Sequence, residues 1–543
     1  MVYSLSTPND SLSETVVLAV VYSRIMADEQ ETKSENNVAA EPMVEGDEGS
    51  EPEPEKEPDE NTEWEGKYGE AGCPIWMDSY GNLGCGRKLH VAPDGIDEKP
   101  VCLMHSKDPG KQSGPLFEEF RQEFERILED AGENVAHFEQ FAFPELDFSE
   151  RTFRAICRFD SATFTRDADF YEAIFMKNAD FSKVTFEKNV EFNSAFFTQN
   201  AGFHEATFEH KAFFNLATFT GDSDFSHATF RQEADFSFVN FEQAVHFIGT
   251  RFHGKADWLR SRFLDQAEFL STEFDPQEAG GPSAVFEMAY FLKPGEIVFD
   301  DVDLSRALFH NCDVSQLWFT SSVQWAKREG NRGFAVFDET SIQQESADEI
   351  WTGGQPGHCE YCAADQIYHQ LKKNYDSRLD YSTADQFHYG EMEMKRLGGP
   401  TDGPLLELRR WFHRNLSLVA LYRDASDYGN SYRKPMWRLL VTLILFAALL
   451  PVPRVGLRRQ GTRQAETYAS VWRTGDGWTP NLWAETRLAG KAVITSVDMA
   501  TFQRSTEYTP AYPWGRVLAI FETLLTSTLF ALFLLAIRRQ FRR

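Results

Sequence analysis

Phenylalanine recurs through the middle of this chain on steps of five and six residues that alternate almost without a fault. The ladder runs Phe148, Phe153, Phe159, Phe164, Phe170 and onward to Phe274, and its twenty-four rungs hold one exception, Trp258. The true period is therefore eleven. A small residue, most often Ala, stands two places before many rungs (Ala162, Ala168, Ala173, Ala179). A fixed short period means stacked copies of one unit. On an α-helix, steps of five and six turn about 140° and 240°, which would spread the rings around the helix and leave no single buried stripe. Extended chain does better. A rung pointing inward from a short strand puts the residue two places earlier inward as well, because side chains alternate with period two. Asp, Ser, Asn and Gly fill the remaining places, where corners need them.

The segments "ADFSKVTFEKN", "ADFYEAIFMKN" and "SDFSHATFRQE" resemble pentapeptide-repeat proteins, in a Phe-rich variant with an eleven-residue double unit. That resemblance implies a right-handed quadrilateral β-helix and a mainly β fold. Four rungs per coil give 22-residue coils. The ladder then makes roughly six coils, about 28 Å tall at ~4.8 Å per layer. A strict five follows at Phe299, Leu304, Phe309, Val314 and Phe319, after a break near 275–285 that contains Gly280, Gly281 and Pro282. It reads as one further coil. The solenoid is expected over 146–340.

Charge divides the chain further. Net charge is −30. Residues 26–65 carry sixteen acids and two lysines, and residues 405–543 carry nine acids and twenty bases. The stretch 1–63 is acidic and poor in large apolar groups, a composition that cannot offset chain entropy, so a disordered tail is expected there. Val16–Tyr22 is too short to span and lacks basic residues before it, and Met26 reads like a start, which leaves open whether 1–25 belong to the protein. Seven scattered cysteines do not make a disulfide framework and suit a reducing compartment.

Residues 64–145 are expected to form a small N-terminal module with a helix near Phe117–Leu128. Cys73, Cys85, Cys102 and His105 offer four soft ligands beside Gly-rich turns, with Cys102 and His105 at a ligand-pair spacing. Four such ligands suit a structural zinc that closes the solenoid's end and leaves no open catalytic position. His90 is an alternative to His105, and free cysteines in a small cap are the alternative to the metal. Cys359 and Cys362 make half of a second ligand set.

A helical connector is expected over 341–434, with two amphipathic helices within 364–397. His388, Glu391 and Glu393 are better explained there by salt pairs on helix faces than by catalysis. The last segment, 435–543, reads as a membrane hairpin. Leu439–Pro453 is marginal for a span, and Val517–Ile537 is convincing. Arg538, Arg539, Arg542 and Arg543 mark a cytosolic end. Arg454, Arg458, Arg459 and Arg463 after the first segment leave open that it lies at the interface instead. Glu522 inside the second span is costly in lipid and calls for a polar interior or a helix partner.

The stretch between the spans resembles the two-span, pore-loop ion-channel domain, potassium channels included. The resemblance matches a pore helix to Leu488–Val497, a filter to Ala500–Thr506 and a following "TP" to Thr509 and Pro510. It makes Thr501, Gln503, Arg504, Ser505 and Thr506 the pore-loop candidates. The loop departs from a potassium filter in having no glycine and in placing Arg504 at its middle. Two functions remain open: a channel-like protein carrying monoatomic ions, assembled as a homo-oligomer (a tetramer if a pore forms), or a membrane-anchored scaffold whose solenoid binds a protein partner. Either sits in the cytoplasmic membrane as a multi-pass protein, with the N-terminal bulk and the C-terminus cytoplasmic. Some relatives in the resembled repeat family imitate DNA, but a net −6 over 148–274 is far below one charge per ~1.7 Å, so no nucleic-acid partner is expected. Nor is an enzyme. The sequence shows no nucleophile with a base, no phosphate loop and no paired carboxylates.

Overall fold

The computed structural model describes residues 72–75, 84–93, 95–97, 99–275, 280–328, 333–339, 361–400, 405–462, 464–474, 477–478, 482–501 and 507–541. The acidic tail expected over 1–63 lies outside them.

The Phe ladder closes into a parallel β-solenoid of about eight turns. Four sheets form its walls: one of nine short strands, from Val135–His137 to Trp318–Phe319, and three of seven. Register states the repeat directly. Phe197 lies beside Phe175 below and Phe219 above, 22 residues either way. Phe299 pairs with Phe319, twenty residues on, so the strict-five coil closes on the same wall with two residues fewer. Pairing also reaches back before the ladder. Ala136 pairs with Cys157, and Phe143 with Phe164. The earlier start adds the coil that the sequence count lacks.

Every rung from Phe148 to Phe269 is buried, and Phe274, the last, is partly buried. Rings stack along a column from coil to coil, as for Phe208 and Phe230, 4.4 Å apart and 2° from parallel, and Phe197 and Phe219 at 4.7 Å and 1°. Neighbouring columns meet edge to face, as Phe203 does with Phe214 at 5.6 Å and 89°. Both geometries suit the ring quadrupole. The Ala places are buried as well, because only a small side chain fits between columns. Cys157 and Cys312 sit in this core, and burial pushes the Cys157 thiol up to about 12.

The five–six alternation has a backbone cause. One residue in every eleven has positive φ: Glu150, Ser161, Glu172, Lys183, Ser194, Glu205, Leu216, His227, Phe238, then Gly249, then Arg260. Each lies two places after a rung, on the five-residue step. The six-residue step turns without one. On the five-residue step an Asp just before the rung also holds the corner: Asp180 Oδ1 accepts from the Ser182 N–H at 3.0 Å and Asp224 Oδ1 from Ser226 at 2.8 Å.

Both ends of the solenoid are met by other chain. Helix α1 (Pro115–Ala131) lays Phe120 and Phe124 on the first coil, with Phe124 stacked 4.8 Å from Phe138. At the far end, helix α2 (Cys362–Ser377) and the residue after it satisfy carbonyls of the last coil. Asn374 Nδ2 donates to the Val314 and Leu317 oxygens at 2.8 Å each, and Arg378 Nη1 donates to Phe319 at 3.0 Å. Open strand edges are therefore covered on both sides.

Helix α3 (Tyr381–Leu397) pairs with α2. Glu391 is buried between them, with His369, Lys372, His388 and Lys395 around it. Burial opposes ionisation of its carboxyl, and these four neighbours outweigh it, holding it far below its ordinary range. Glu393 takes Arg396 and the Tyr428 hydroxyl. Then come α4 (Leu406–Leu416), α5 (Leu418–Ser426), α6 (Arg433–Leu449), α7 (Leu482–Ala500) and α8 (Pro513–Phe541). Helices α6 and α8 run antiparallel. Tyr512 donates to the Val455 carbonyl at one end, and Arg539 reaches Tyr428 O and Asp385 at the other. Among the described residues, α8 is the one helix long and apolar enough to cross a membrane. Helix α6, over the first expected span, has 17 residues.

Candidate functional site

Two places gather chemistry-bearing residues. The first is beside α1. Isolated bridges, Gly72 with Lys88 and Leu89 with Cys102, fold the N-terminal loops together. They bring the ligand atoms of Cys73, Cys85, Cys102 and His105 within 4.8 Å of one another. Cys85 and Cys102 sulfurs are 3.7 Å apart, and Cys73 Sγ is 3.5 Å from His105 Nδ1. A tetrahedral zinc with ordinary bond lengths has S–S edges of about 3.8 Å and S–N edges of about 3.6 Å. His105 Nε2 lies 3.2 Å from the Glu139 carbonyl, which can only accept, so Nε2 keeps its proton and Nδ1 faces the sulfurs. Cys102 Sγ lies closer, 3.1 Å from His105 Nδ1, and three thiols with one imidazole are a donor set that could hold a metal ion. His90, the alternative ligand, is held by Asp108 at 2.8 Å instead.

Hydrogen bonds from Cys102 and Cys73 draw the Cys85 thiol strongly down, and Cys102 is driven up in turn. Burial lowers the His105 imidazole, but bonds from Cys73 and Cys85 outweigh it and take it up to about 9. A metal would displace these shared protons, which couples its binding to pH. Beside the cluster, Lys111 is buried. Its ammonium donates to the Leu103 and Ala142 carbonyls at 2.9 and 2.5 Å, and burial pushes it down to about 7.

The second place is the seam between α6, α7 and α8. Glu522 is fully buried, with Ser496 Oγ of α7 against its Oε1, while its Oε2 has no partner. Ser496 Oγ also lies 3.2 Å from the Leu443 carbonyl of α6. Thr495 and Thr526 are buried alongside, the latter donating to the Glu522 carbonyl at 2.8 Å. Around this polar seam the outer surface is apolar. Trp437 and Ile444 of α6, Ile494 of α7, and Ile520, Phe521 and Leu524 of α8 are all about 60% exposed.

Of the pore-loop candidates, Thr501 is exposed at the end of α7, its hydroxyl donating to Val497 at 2.9 Å. Gln503, Arg504, Ser505 and Thr506 lie outside the described residues, as does Cys359. Thr509 and Pro510 lie on a strand that pairs antiparallel with Leu457–Arg459. Sequence reasoning missed Ser496 as the partner of Glu522. A Thr–Ser pair inside an otherwise apolar stretch was its signal.

Comparison with known families matches residues 148–195 to pentapeptide repeats (9 copies). The matched stretch of the solenoid is thus built of pentapeptide repeats. Neither the curated proteins nor the solved structures give a match.

Proposed function

We propose that this protein is a membrane-anchored scaffold: a pentapeptide-repeat rod held at the membrane by its helical C-terminal end. One observation carries the reading. The helical end is inside out relative to a water-soluble fold, with Ser496, Glu522 and Thr526 inside and large apolar side chains outside. Lipid is the solvent that makes this favourable. Helices α6 and α8 act as a hairpin, α6 being at the short limit for a span. Arg538 and Arg539 mark the cytosolic end. The rod, joined to the same end through Arg539 and Asp385, is then cytosolic. The test is fractionation. The chain should stay in the membrane pellet through high salt and alkaline carbonate, and a chain stopped at Tyr432, before both hairpin helices, should be released. Release of the intact chain by salt alone would overturn the reading.

The rod supplies the scaffold's surface. Leu216, Phe238, Arg260 and Met288 stand on successive coils at one corner, all with positive φ. Arg260 lies over the Phe238 ring at 5.6 Å, and Leu216 and Phe238 are exposed. Bulky apolar residues in that conformation cost free energy, and here they stay about half exposed. A protein partner with apolar side chains and a carboxylate for Arg260 matches the ridge. At the other end, Cys73, Cys85, Cys102 and His105 hold a structural zinc that closes the right-handed solenoid. Metal analysis of the purified chain should find one zinc, lost in Cys102→Ser; a folded, metal-free chain would exclude it.

A second reading is ion passage through a homo-oligomer. It is favoured by Glu522, whose unpartnered oxygen sits where α6, α7 and α8 pack on one another. Reconstituted protein should then carry current across a planar bilayer, and silence across several ions would leave the scaffold alone.

A further inference from the structure

No side chain of helix α4 is fully buried. A helix of eleven residues is marginal in water on its own, and the bonds that tie α4 to α3 are polar, His413 to the Arg396 carbonyl at 3.2 Å and Arg396 to the Arg414 carbonyl at 3.1 Å, so its apolar face still needs an occupant. That face is well defined. Leu408, Trp411, Phe412 and Leu416 recur at helical spacing and are each about half exposed; Leu418 and Leu421 of α5 extend the patch, Leu418 at 86%. Beside it stand Arg409, Arg410 and Arg414, against one acid, Glu407. Trp, Phe and Leu on one side with arginines on the other is the composition of a helix lying in a bilayer interface.

Position singles out the occupant. Helix α5 packs on both α6 and α8. The contact lies at the C-terminal end of α8, since Arg539 donates to Tyr428 O just past α5 at 2.9 Å. The exposed patch is thus continuous with the apolar outer face of the membrane helices, at the end where they leave the bilayer toward the rod. We infer that α4 and α5 form an interfacial lipid-binding element that lies on the cytosolic leaflet, with Leu408, Trp411, Phe412 and Leu418 in the acyl boundary and Arg409 and Arg414 on anionic headgroups. It sets the rod's height and tilt over the membrane. The inference rests on the reading of α6–α8 as membrane-embedded.

The experiment separates the two claims. The full chain is reconstituted into vesicles of phosphatidylcholine, or of phosphatidylcholine with phosphatidylglycerol, each with brominated acyl chains as quencher. An environment-sensitive dye is placed at Leu418→Cys or, in a separate sample, at Phe530→Cys of α8. Quenching at both positions, stronger at 418 in the anionic vesicles, is the expected result. Arg409→Gln with Arg414→Gln should lower the docked-to-undocked ratio at 418 by about five-fold per arginine and leave 530 unchanged. Quenching at 530 but not at 418 would overturn the interfacial element and spare the membrane reading; loss at 530 would overturn both. A dye at 418 that is shielded from water yet unquenched would mean that protein covers the patch. Equal quenching at 418 in the two lipid mixtures would remove the headgroup role.

Discussion

The rod and the helical end solve burial in opposite senses. In the rod, Phe203 is fully buried and polar residues line the outside. In the helical end, Phe521 is 66% exposed and Glu522, its neighbour, is fully buried. Both regions are rich in large apolar residues, so composition does not tell them apart. Period does. The eleven-residue ladder sends every ring to one interior, whereas the apolar run of α8 has rings all round and needs a solvent that accepts them. The same substitution at the two phenylalanines puts this contrast at risk most directly. Phe203→Asp places a carboxylate in a closed aromatic column and should cost more than about 5 kcal/mol, enough to abolish the solenoid's melting transition by circular dichroism. Phe521→Asp should leave that transition in place in detergent and instead weaken membrane retention, by about 3 kcal/mol if the side chain faces the bilayer centre. Equal effects on melting would erase the distinction.

A smaller effect concerns the last coil, where the rod meets the connector. Asp338 is buried, and its carboxylate accepts from the Phe309 N–H at 3.2 Å. Burial outweighs that bond and raises its pKa from 3.8 to about 7. A group raised in the folded state contributes stability that is full below its unfolded value and is lost as pH climbs through the folded one. The rod should therefore lose stability from about pH 4 to pH 7. Asp338→Asn keeps an acceptor for Phe309 and removes the titration, so its melting temperature should be flatter over that window. A parallel pair of pH profiles would show that Asp338 is not the group responsible.

How much of this was legible varied with how local each cause is. The rungs were readable because inward places recur by number alone. The first coil was readable too, since Phe138 and Phe143 continue the steps of five before Phe148. It was hidden because the expected N-terminal module, 64–145, took in that stretch. The corners were not readable. Their positive φ is imposed by coil closure, and the residues that occupy them, from Glu150 and Lys183 to Leu216 and Phe238, share no side-chain preference. The four ligands stood out by residue type and spacing, but the Glu139 carbonyl that orients His105 is 34 residues away and carries no sequence mark. Ser496 and Glu522 meet across 26 residues for the same reason.

The corners also supply the finest test, because stability and docking pull apart there. Leu216 has φ of 61° and a side chain 55% exposed. A left-handed conformation costs an ordinary residue roughly 1–2 kcal/mol, and glycine avoids that cost while giving back part of it as backbone entropy. Losing an exposed leucine removes little burial in return. Leu216→Gly should therefore raise the stability of the rod by about 1 kcal/mol, read as a higher melting temperature. At Lys183, a corner at the same φ range without an apolar side chain, the same change to Gly should stabilise equally. The two variants diverge only if the ridge is a docking surface: crosslinking to a partner protein in cells should fall for Leu216→Gly and stay at wild-type level for Lys183→Gly. Matching behaviour in both assays would make Leu216 one more strained corner, and the scaffold's binding face would have to lie elsewhere on the rod.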